Sequence, residues 1–156
     1  MTESPLIVFL NDDTLVCPRW LDMLRKPFQD YPLAALSGPQ ARCTSLTEQF
    51  RGVPGYQLEY LEGSCLMGRT SLLKEHGLFD PNLVFCYGED SDLSLRMRQL
   101  GYSIHQVPFR LPFHAGGATT RTVPGLKPII LANHHYLMNK WADYLKTPDR
   151  LFPHEQ

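Results

Sequence analysis

The stretch LIVFLNDDTLVCPRW, residues 6–20, passes directly from five apolar residues into an acidic triplet. A short run of continuous apolar residues predicts a strand buried on both faces, as in the middle of an α/β sheet. Asn11, Asp12 and Asp13 follow this strand immediately. Ligands of open α/β sheets bind beyond the carboxyl ends of the strands. The triplet therefore indicates either a ligand site or a turn, because Asn and Asp also favour turns.

Strand-like and helix-like segments alternate through the rest of the chain. Further strands are predicted over residues 33–39, 62–69 and 102–108, and short helices over 70–77 and 89–100, which end at Gly77 and Gly101. Residues 40–61 and 109–125 are predicted to be mainly loop. This alternation predicts an α/β fold with a largely parallel sheet.

Two further helices carry apolar residues at helical spacing. The first begins near Trp20, and Pro27 is expected to end it early. The last helix is predicted to place one apolar face inward, where His134 is interpreted as a packed core histidine; the face comprises Ile130, His134, Leu137, Trp141 and Leu145.

Composition excludes several classes of protein. The formal net charge is −1 and there is no basic run, so no nucleic-acid partner is expected. The cysteines are Cys17, Cys43, Cys65 and Cys86, and their single spacing favours reduced thiols in a cytosolic protein. No apolar stretch is long enough to span a bilayer, and the first residues do not have the pattern of a signal peptide.

The triplet at 11–13 offers hard oxygen ligands. Two carboxylates and an amide oxygen suit Mg²⁺ or Mn²⁺ that is bound jointly with a substrate phosphate, rather than in a complete protein cage. The alternative interpretation is a turn that ends the strand, and chemistry alone leaves the two readings open.

A second acidic group, Gly88–Asp92, opens a helix. Acids in the first helical turn are favoured by the macrodipole and by capping, and this accounts for their presence without any function. The functional alternative is a general base held at a cleft. Farther along, His114 precedes two glycines at 116–117, which fits a ligand position as well as a solvated loop histidine.

Four segments, taken in order, resemble the family 2 glycosyltransferases of GT-A fold. The closest likeness is to the rhamnosyltransferase-like enzymes of bacterial cell-surface polysaccharide synthesis, and it covers residues 6–145. The segments are FLNDDTLVCPRWLDML, EGSCLMGRTSLLKEHGLFDPNL, YGEDSDLSLRMRQLGYSIHQVP and FHAGG. The helix NHHYLMNKWADYL also resembles the one that follows the catalytic core in that group.

On the donor side, the resemblance implies a site for a nucleotide-sugar. Asn11, Asp12 and Asp13 match the D-x-D-type motif, with Asn in place of the first acid. Asp13 is then the principal ligand of Mg²⁺ or Mn²⁺, Asp12 contacts the ribose or assists the metal, and His114 completes the metal site. Gly63 and Ser64 match the small residues that line the sugar pocket.

On the acceptor side, the resemblance implies a catalytic base. Asp90, the second acid of the Glu-Asp pair, matches that base, and Glu89 and Arg96 match positions that support it, with Arg96 counted among the donor-binding residues. The implied reaction is inverting transfer to a saccharide or lipid-linked acceptor. It implies a cytoplasmic protein at the inner face of the membrane, with peripheral membrane association through the acceptor.

The chain departs from the family at its beginning. The family has a βαβα region before the D-x-D strand, and that region makes most of the nucleotide pocket; here only residues 1–5 precede it. We therefore expect a single partial domain over 1–156, with the core portion at 6–125 and a C-terminal helix and tail at 126–156. Without flanking strands, Leu6–Leu10 is expected to form a sheet edge that favours association.

Three interpretations follow from this departure. The chain is a fragment of a transferase, a subunit completed by another chain or by a homo-oligomer, or a non-catalytic GT-A remnant that acts as a binding or partner subunit. A metal-dependent phosphoesterase would use the same acids, but the order of the motifs disfavours it.

Overall fold

The computed structural model describes residues 3–44, 59–114 and 122–147, and shows a mixed α/β fold. The strands are β1 Leu6–Leu10, β2 Thr14–Leu15, β3 Ala34–Gly38, β4 Ala41–Arg42, β5 Tyr60–Leu61, β6 Cys65–Arg69, β7 Ser103–Gln106 and β8 Phe113–His114. The helices are α1 Trp20–Asp30, α2 Thr70–His76, α3 Glu89–Gln99 and α4 Leu126–Leu145.

The central sheet has four strands in the order β1-β6-β3-β7. Strand β6 runs antiparallel to both β1 and β3, whereas β3 and β7 are parallel. The prediction of a largely parallel sheet was therefore wrong. Strand β6 begins beside the carboxyl end of β1, since Cys65 pairs with Leu10. It therefore runs in the opposite direction to β1 and β3, between which it lies.

Strand β1 lies at one edge of the described sheet, as expected from the sequence. Its side chains alternate between two apolar clusters: Leu6 and Val8 pack on one face, and Ile7 and Phe9 on the other. Both faces are therefore in contact with apolar groups, but each of these side chains is only partly buried. The prediction of full burial in mid-sheet was wrong, because among the described strands β1 has one neighbour instead of two.

Helix α1 continues past Pro27, which was predicted to end it early. The helix extends to Asp30, and Pro27 is buried inside it. Proline removes one helical hydrogen bond, but the carbonyl of Pro27 still accepts from the amide of Tyr31 at 2.9 Å, which closes the last turn. Packing thus outweighs the helix-breaking tendency at this position.

Helix α4 buries most of the predicted face, including Leu137, Trp141 and Leu145, but not His134. His134 is exposed, so the interpretation of this residue as a core histidine was wrong, whereas its neighbour Asn133 is buried. Leu137 and Trp141 lie in the core as expected. The buried residues of the helix include Leu126, Asn133 and Leu137. Residues three or four apart lie on the same helix face, and the position four residues before Leu137 is Asn133, not His134.

A buried ionic cluster joins α4 to α3. The Asp92 side chain is 0% exposed; it accepts a hydrogen bond from Trp141 Nε1 at 2.9 Å and lies 2.7 Å from Lys140 Nζ. Lys140 also bonds Asp80 at 2.6 Å. This hydrogen bond to the ammonium holds the pKa of Asp80 well below its usual range. Asp92 therefore anchors the first turns of α3 to the last helix.

We predict that Asp92→Ala destabilises the protein by about 3–5 kcal/mol, because it leaves the Trp141 N–H and part of the Lys140 charge without their buried partner. The free energy of unfolding in urea is the measurement. Asp143→Ala is the matched control, since Asp143 is an exposed acid on α4, the helix that carries Trp141 and Lys140. Equal stability of the two variants would contradict the anchoring role.

Candidate functional site

Several chain segments meet at the edge of the central sheet that is formed by the ends of its strands, as distinct from the edge formed by the outer strand β1. Strands β1, β3 and β7 run in one direction and β6 in the other, so three carboxyl ends and the amino end of β6 share this edge. The segments there are 11–13 after β1, 39–40 after β3 and 63–64 before β6. A side-chain hydrogen bond joins two of these segments: Ser64 Oγ lies 3.5 Å from Gln40 Oε1.

The acidic triplet forms a turn at this edge. The amide of Asn11 donates to the carbonyl of Ser64 at 3.1 Å and extends the β1–β6 ladder, and the amide of Thr14 donates to the carbonyl of Asn11 at 3.2 Å. The turn interpretation is therefore confirmed. The turn leaves Asp12 exposed and Asp13 half-buried, so it also presents carboxylates at the sheet edge, as a ligand site requires.

The pairing of β2 with β8 brings the two predicted metal ligands into neighbouring positions. Thr14 pairs with His114 in an antiparallel register, and Asp13 directly precedes Thr14. The buried hydroxyl oxygen of Thr14 has no hydrogen-bond partner among the described residues. Residues 115–117, which include the glycines after His114, lie outside the described part of the chain.

The carboxylates of Asp12 and Asp13 suit a divalent cation only if water and a substrate phosphate supply its remaining ligands. Among the side chains that the structure describes, no three His, Cys, Asp or Glu converge as a metal-binding group. Mg²⁺ typically takes one or two carboxylates and completes its shell with water and substrate phosphate. The exposed Asp12 and half-buried Asp13 on one turn match that pattern.

Asp90 is hydrogen-bonded to the Glu62–Ser64 turn before β6, and the same turn is hydrogen-bonded to Asn11 of the triplet. Its Oδ2 accepts from the amide of Gly63 at 2.8 Å, and its Oδ1 accepts from the amide and hydroxyl of Ser91 at 2.7 and 3.2 Å. A Cβ on Gly63 would lie 3.3 Å from the Cβ of Asp90, so glycine permits this close approach. Burial raises the pKa of Asp90 despite these hydrogen bonds.

Glu89 lies next to Asp90 without comparable partners. Its Oε2 is buried and has no hydrogen-bond partner among the described residues. Burial raises the pKa of Glu89, and the neighbouring Asp90 charge adds to the effect. Helix α3 therefore begins with two partly desolvated carboxyl groups, although the helix macrodipole would by itself favour their charged forms.

Arg96 is held away from the triplet, two turns into α3. Its guanidinium donates to the carbonyls of His76, Gly77 and Leu78 at 2.6–2.9 Å and lies 3.4 Å from Asp92 Oδ2. In this position Arg96 joins the end of α2 to α3. Its expected part in donor binding remains a prediction, and the contacts described show it as a support for the helix that carries Asp90.

Asn133, which was not predicted from the sequence as a site residue, fixes the loop before Glu89. The Asn133 side chain donates to the carbonyls of Val84, Cys86 and Tyr87 at 2.7–3.2 Å and accepts from the amide of Val84 at 3.3 Å. The signal was a polar residue on an otherwise apolar helix face, four residues before Leu137. It was overlooked because His134 was assigned to that face.

No protein-family model matches the sequence, and no curated protein matches it either. Within the described ranges, no helix combines the length and the apolar character needed to cross a membrane.

We predict that Glu89→Gln stabilises the protein at pH 7. A folded-state pKa above the unfolded value means that stability is present at low pH and is lost as pH rises through the folded pKa. Removing the charge avoids that loss. The gain should disappear once the pH falls below the unfolded pKa, about 4.3, where Glu89 is protonated in both proteins.

Thermal unfolding of the variant and the parent from pH 3 to 8 measures this difference. Glu75→Gln, at an exposed site, is the control and should show no such profile. A Glu89→Gln variant that is less stable than the parent at pH 7 would show that the carboxylate has a stabilising partner.

Proposed function

We propose that this chain carries the catalytic portion of a GT-A-like, inverting, metal-dependent glycosyltransferase. It would transfer a sugar from a nucleotide-sugar donor to a saccharide or lipid-linked acceptor. One observation supports this above the others: the Glu62–Ser64 turn bonds the acidic triplet on one side and Asp90 on the other. Two carboxylate groups with different chemical tasks are thereby joined at one sheet edge.

Asp90 acts in this proposal as the base that takes the proton from the acceptor hydroxyl. Its oxygens accept bonds from Gly63 and Ser91, but each carboxylate oxygen has two lone pairs, so capacity for a hydroxyl remains. A raised pKa makes a carboxylate a stronger base, and general-base catalysis benefits when the pKa approaches the working pH. The negative charge of Glu62 adds to the rise in the pKa of Asp90, and Glu89 is the neighbouring residue that would support the base.

Asp13 and His114 would hold Mg²⁺ or Mn²⁺, with Asp12 and Asn11 at the same turn. When bound, the cation neutralises charge on the leaving nucleoside diphosphate. The protein positions these ligands through backbone pairing: Asn11 bonds Ser64, and Thr14 pairs with His114. Gly63 and Ser64 lie between the metal side and Asp90, where the family resemblance places the donor sugar.

A second candidate is a non-catalytic subunit of the same fold that binds a partner chain. The edge position of β1 favours it, because within the described sheet β1 pairs only with β6 and carries apolar side chains on both faces. Such an edge is suited to pairing with another strand. The two candidates differ in whether sugar transfer occurs.

The proposal predicts that Asp90→Asn lowers sugar transfer by about 10²-fold or more, because the amide cannot take the acceptor proton. The assay incubates the chain with Mn²⁺, a panel of nucleotide sugars and simple glycosides, and detects products by mass spectrometry. Asp22→Asn, at an exposed position in α1, is the matched control. Near-normal transfer by Asp90→Asn would refute the assignment of the base, and absence of transfer by the parent chain would refute catalysis by this chain on its own.

A further inference from the structure

The loop before Glu89 has an unusual backbone. Phe85, Tyr87 and Gly88 all have left-handed φ values, of 70°, 67° and 102°. This conformation suits glycine but is unfavourable for residues with bulky side chains. Two aromatic residues are therefore held in a strained form immediately before the acidic pair, and such strain is concentrated at functional sites in proteins.

The surrounding structure holds the loop in this form. Asn133 is 4% exposed and uses both ends of its amide on the loop backbone, with four hydrogen bonds to Val84, Cys86 and Tyr87. Asp92 and Lys140 fix the neighbouring turns of α3 and α4. These contacts hold the backbone of the loop, and they leave the Phe85 and Tyr87 side chains exposed.

The aromatic side chains are exposed although the loop is fixed. Phe85 is 66% exposed and Tyr87 is 48% exposed, whereas Cys86 between them is half-buried. Burial of these two rings consequently contributes little to the stability of the fold. Two exposed rings on a fixed loop, two to five residues before the carboxyl groups of Glu89 and Asp90 in the chain, are instead typical of a binding surface.

The chemistry of this surface favours a sugar. A pyranose has one face of C–H groups, which packs against the electron-rich face of an aromatic ring, and an edge of hydroxyl groups, which donate to carboxylates. Anionic ligands are disfavoured, because the acids Glu89 and Asp90 follow the two aromatic residues closely in the chain and the sequence has no Lys or Arg between Lys74 and Arg96. The same charges oppose docking to an anionic lipid surface.

We propose that Phe85 and Tyr87 form a stacking surface for a pyranose ring of the acceptor, with its hydroxyl edge turned toward Asp90. The acceptor is then a saccharide that is recognised through its apolar face. The identification of this sugar as the acceptor rests on the proposed transferase function, whereas the binding itself does not. Tyr87 and Phe85 are binding residues in this proposal, and Asn133 positions them.

Saturation-transfer NMR on the 156-residue chain tests the binding directly, with methyl α-L-rhamnopyranoside and methyl β-D-glucopyranoside as probes and glycerol as a ligand without a ring. We expect saturation of the ring C–H protons of at least one pyranoside and none of glycerol. The variants are Phe85→Gly and Tyr87→Gly, because glycine keeps the left-handed backbone and the fold. Each should weaken binding about fivefold.

Tyr31→Ala is the matched control, because Tyr31 is an exposed ring just before β3, at the opposite end of the sheet. Its binding should equal that of the parent. Absence of pyranoside saturation in the parent, or undiminished saturation in both glycine variants, would overturn the proposal. Sedimentation with phosphatidylcholine vesicles that is lost in the glycine variants, without any pyranoside signal, would overturn it in favour of a membrane contact.

The transfer assay separates this proposal from the proposed function. Pyranoside binding that depends on both rings, without transfer from any donor, would support the sugar-binding surface and refute catalysis by this chain on its own. Transfer with an unchanged acceptor KM in both glycine variants would support the transferase and place the acceptor elsewhere. A rise in acceptor KM with little change in kcat would support both.

Discussion

The hydrogen bonds of the Glu62–Ser64 turn are the interaction on which the site depends. The carbonyl of Ser64 accepts a hydrogen bond from the amide of Asn11 at the end of β1. The amide of Gly63 donates to the carboxylate of Asp90 at the start of α3. Both bonds require the turn to lie at the shared sheet edge, which follows from β6 running antiparallel between β1 and β3. Because Gly63 has no side chain, the Asp90 carboxylate can approach the backbone closely. The acidic triplet at 11–13 and the acidic pair at 89–90 are far apart in the sequence, and these two hydrogen bonds link both of them to one turn.

A second set of contacts keeps Asp90 in place from the other side. Asp92 is buried against Trp141 and Lys140, and Asn133 holds the loop that leads into α3. Helix α4 therefore acts as a support for the start of α3. Energetically unfavourable features are concentrated in this part of the chain. Two aromatic residues with left-handed backbone conformation are followed closely in the chain by two carboxyl groups that are partly removed from water. Strain and raised carboxyl pKa values at the same place are a pattern typical of functional sites.

The sequence predicted the elements better than their arrangement. Apolar runs located β1, β3 and β6, and glycines located the ends of α2 and α3, because these signals are local. Strand direction depends on contacts between distant residues, so the antiparallel β6 was not predicted. The same limit applies to the site: Gly63 and Asp90 are 27 residues apart, and no local pattern indicates their hydrogen bond. Asn133 was missed because the apolar stripe of α4 shifts between three- and four-residue steps, and His134 occupied the alternative position.

The most direct test of the account is to map a bound metal by NMR. Mn²⁺ broadens the signals of nuclei close to it, so titrating the isotopically labelled chain with Mn²⁺ shows which residues surround the ion. The account predicts that the amides of Asp12, Asp13, Gly63 and Ser64 broaden together and that Asp13→Ala removes the effect. Broadening centred on other acidic residues, or broadening that persists unchanged in Asp13→Ala, would contradict a shared donor site at this sheet edge.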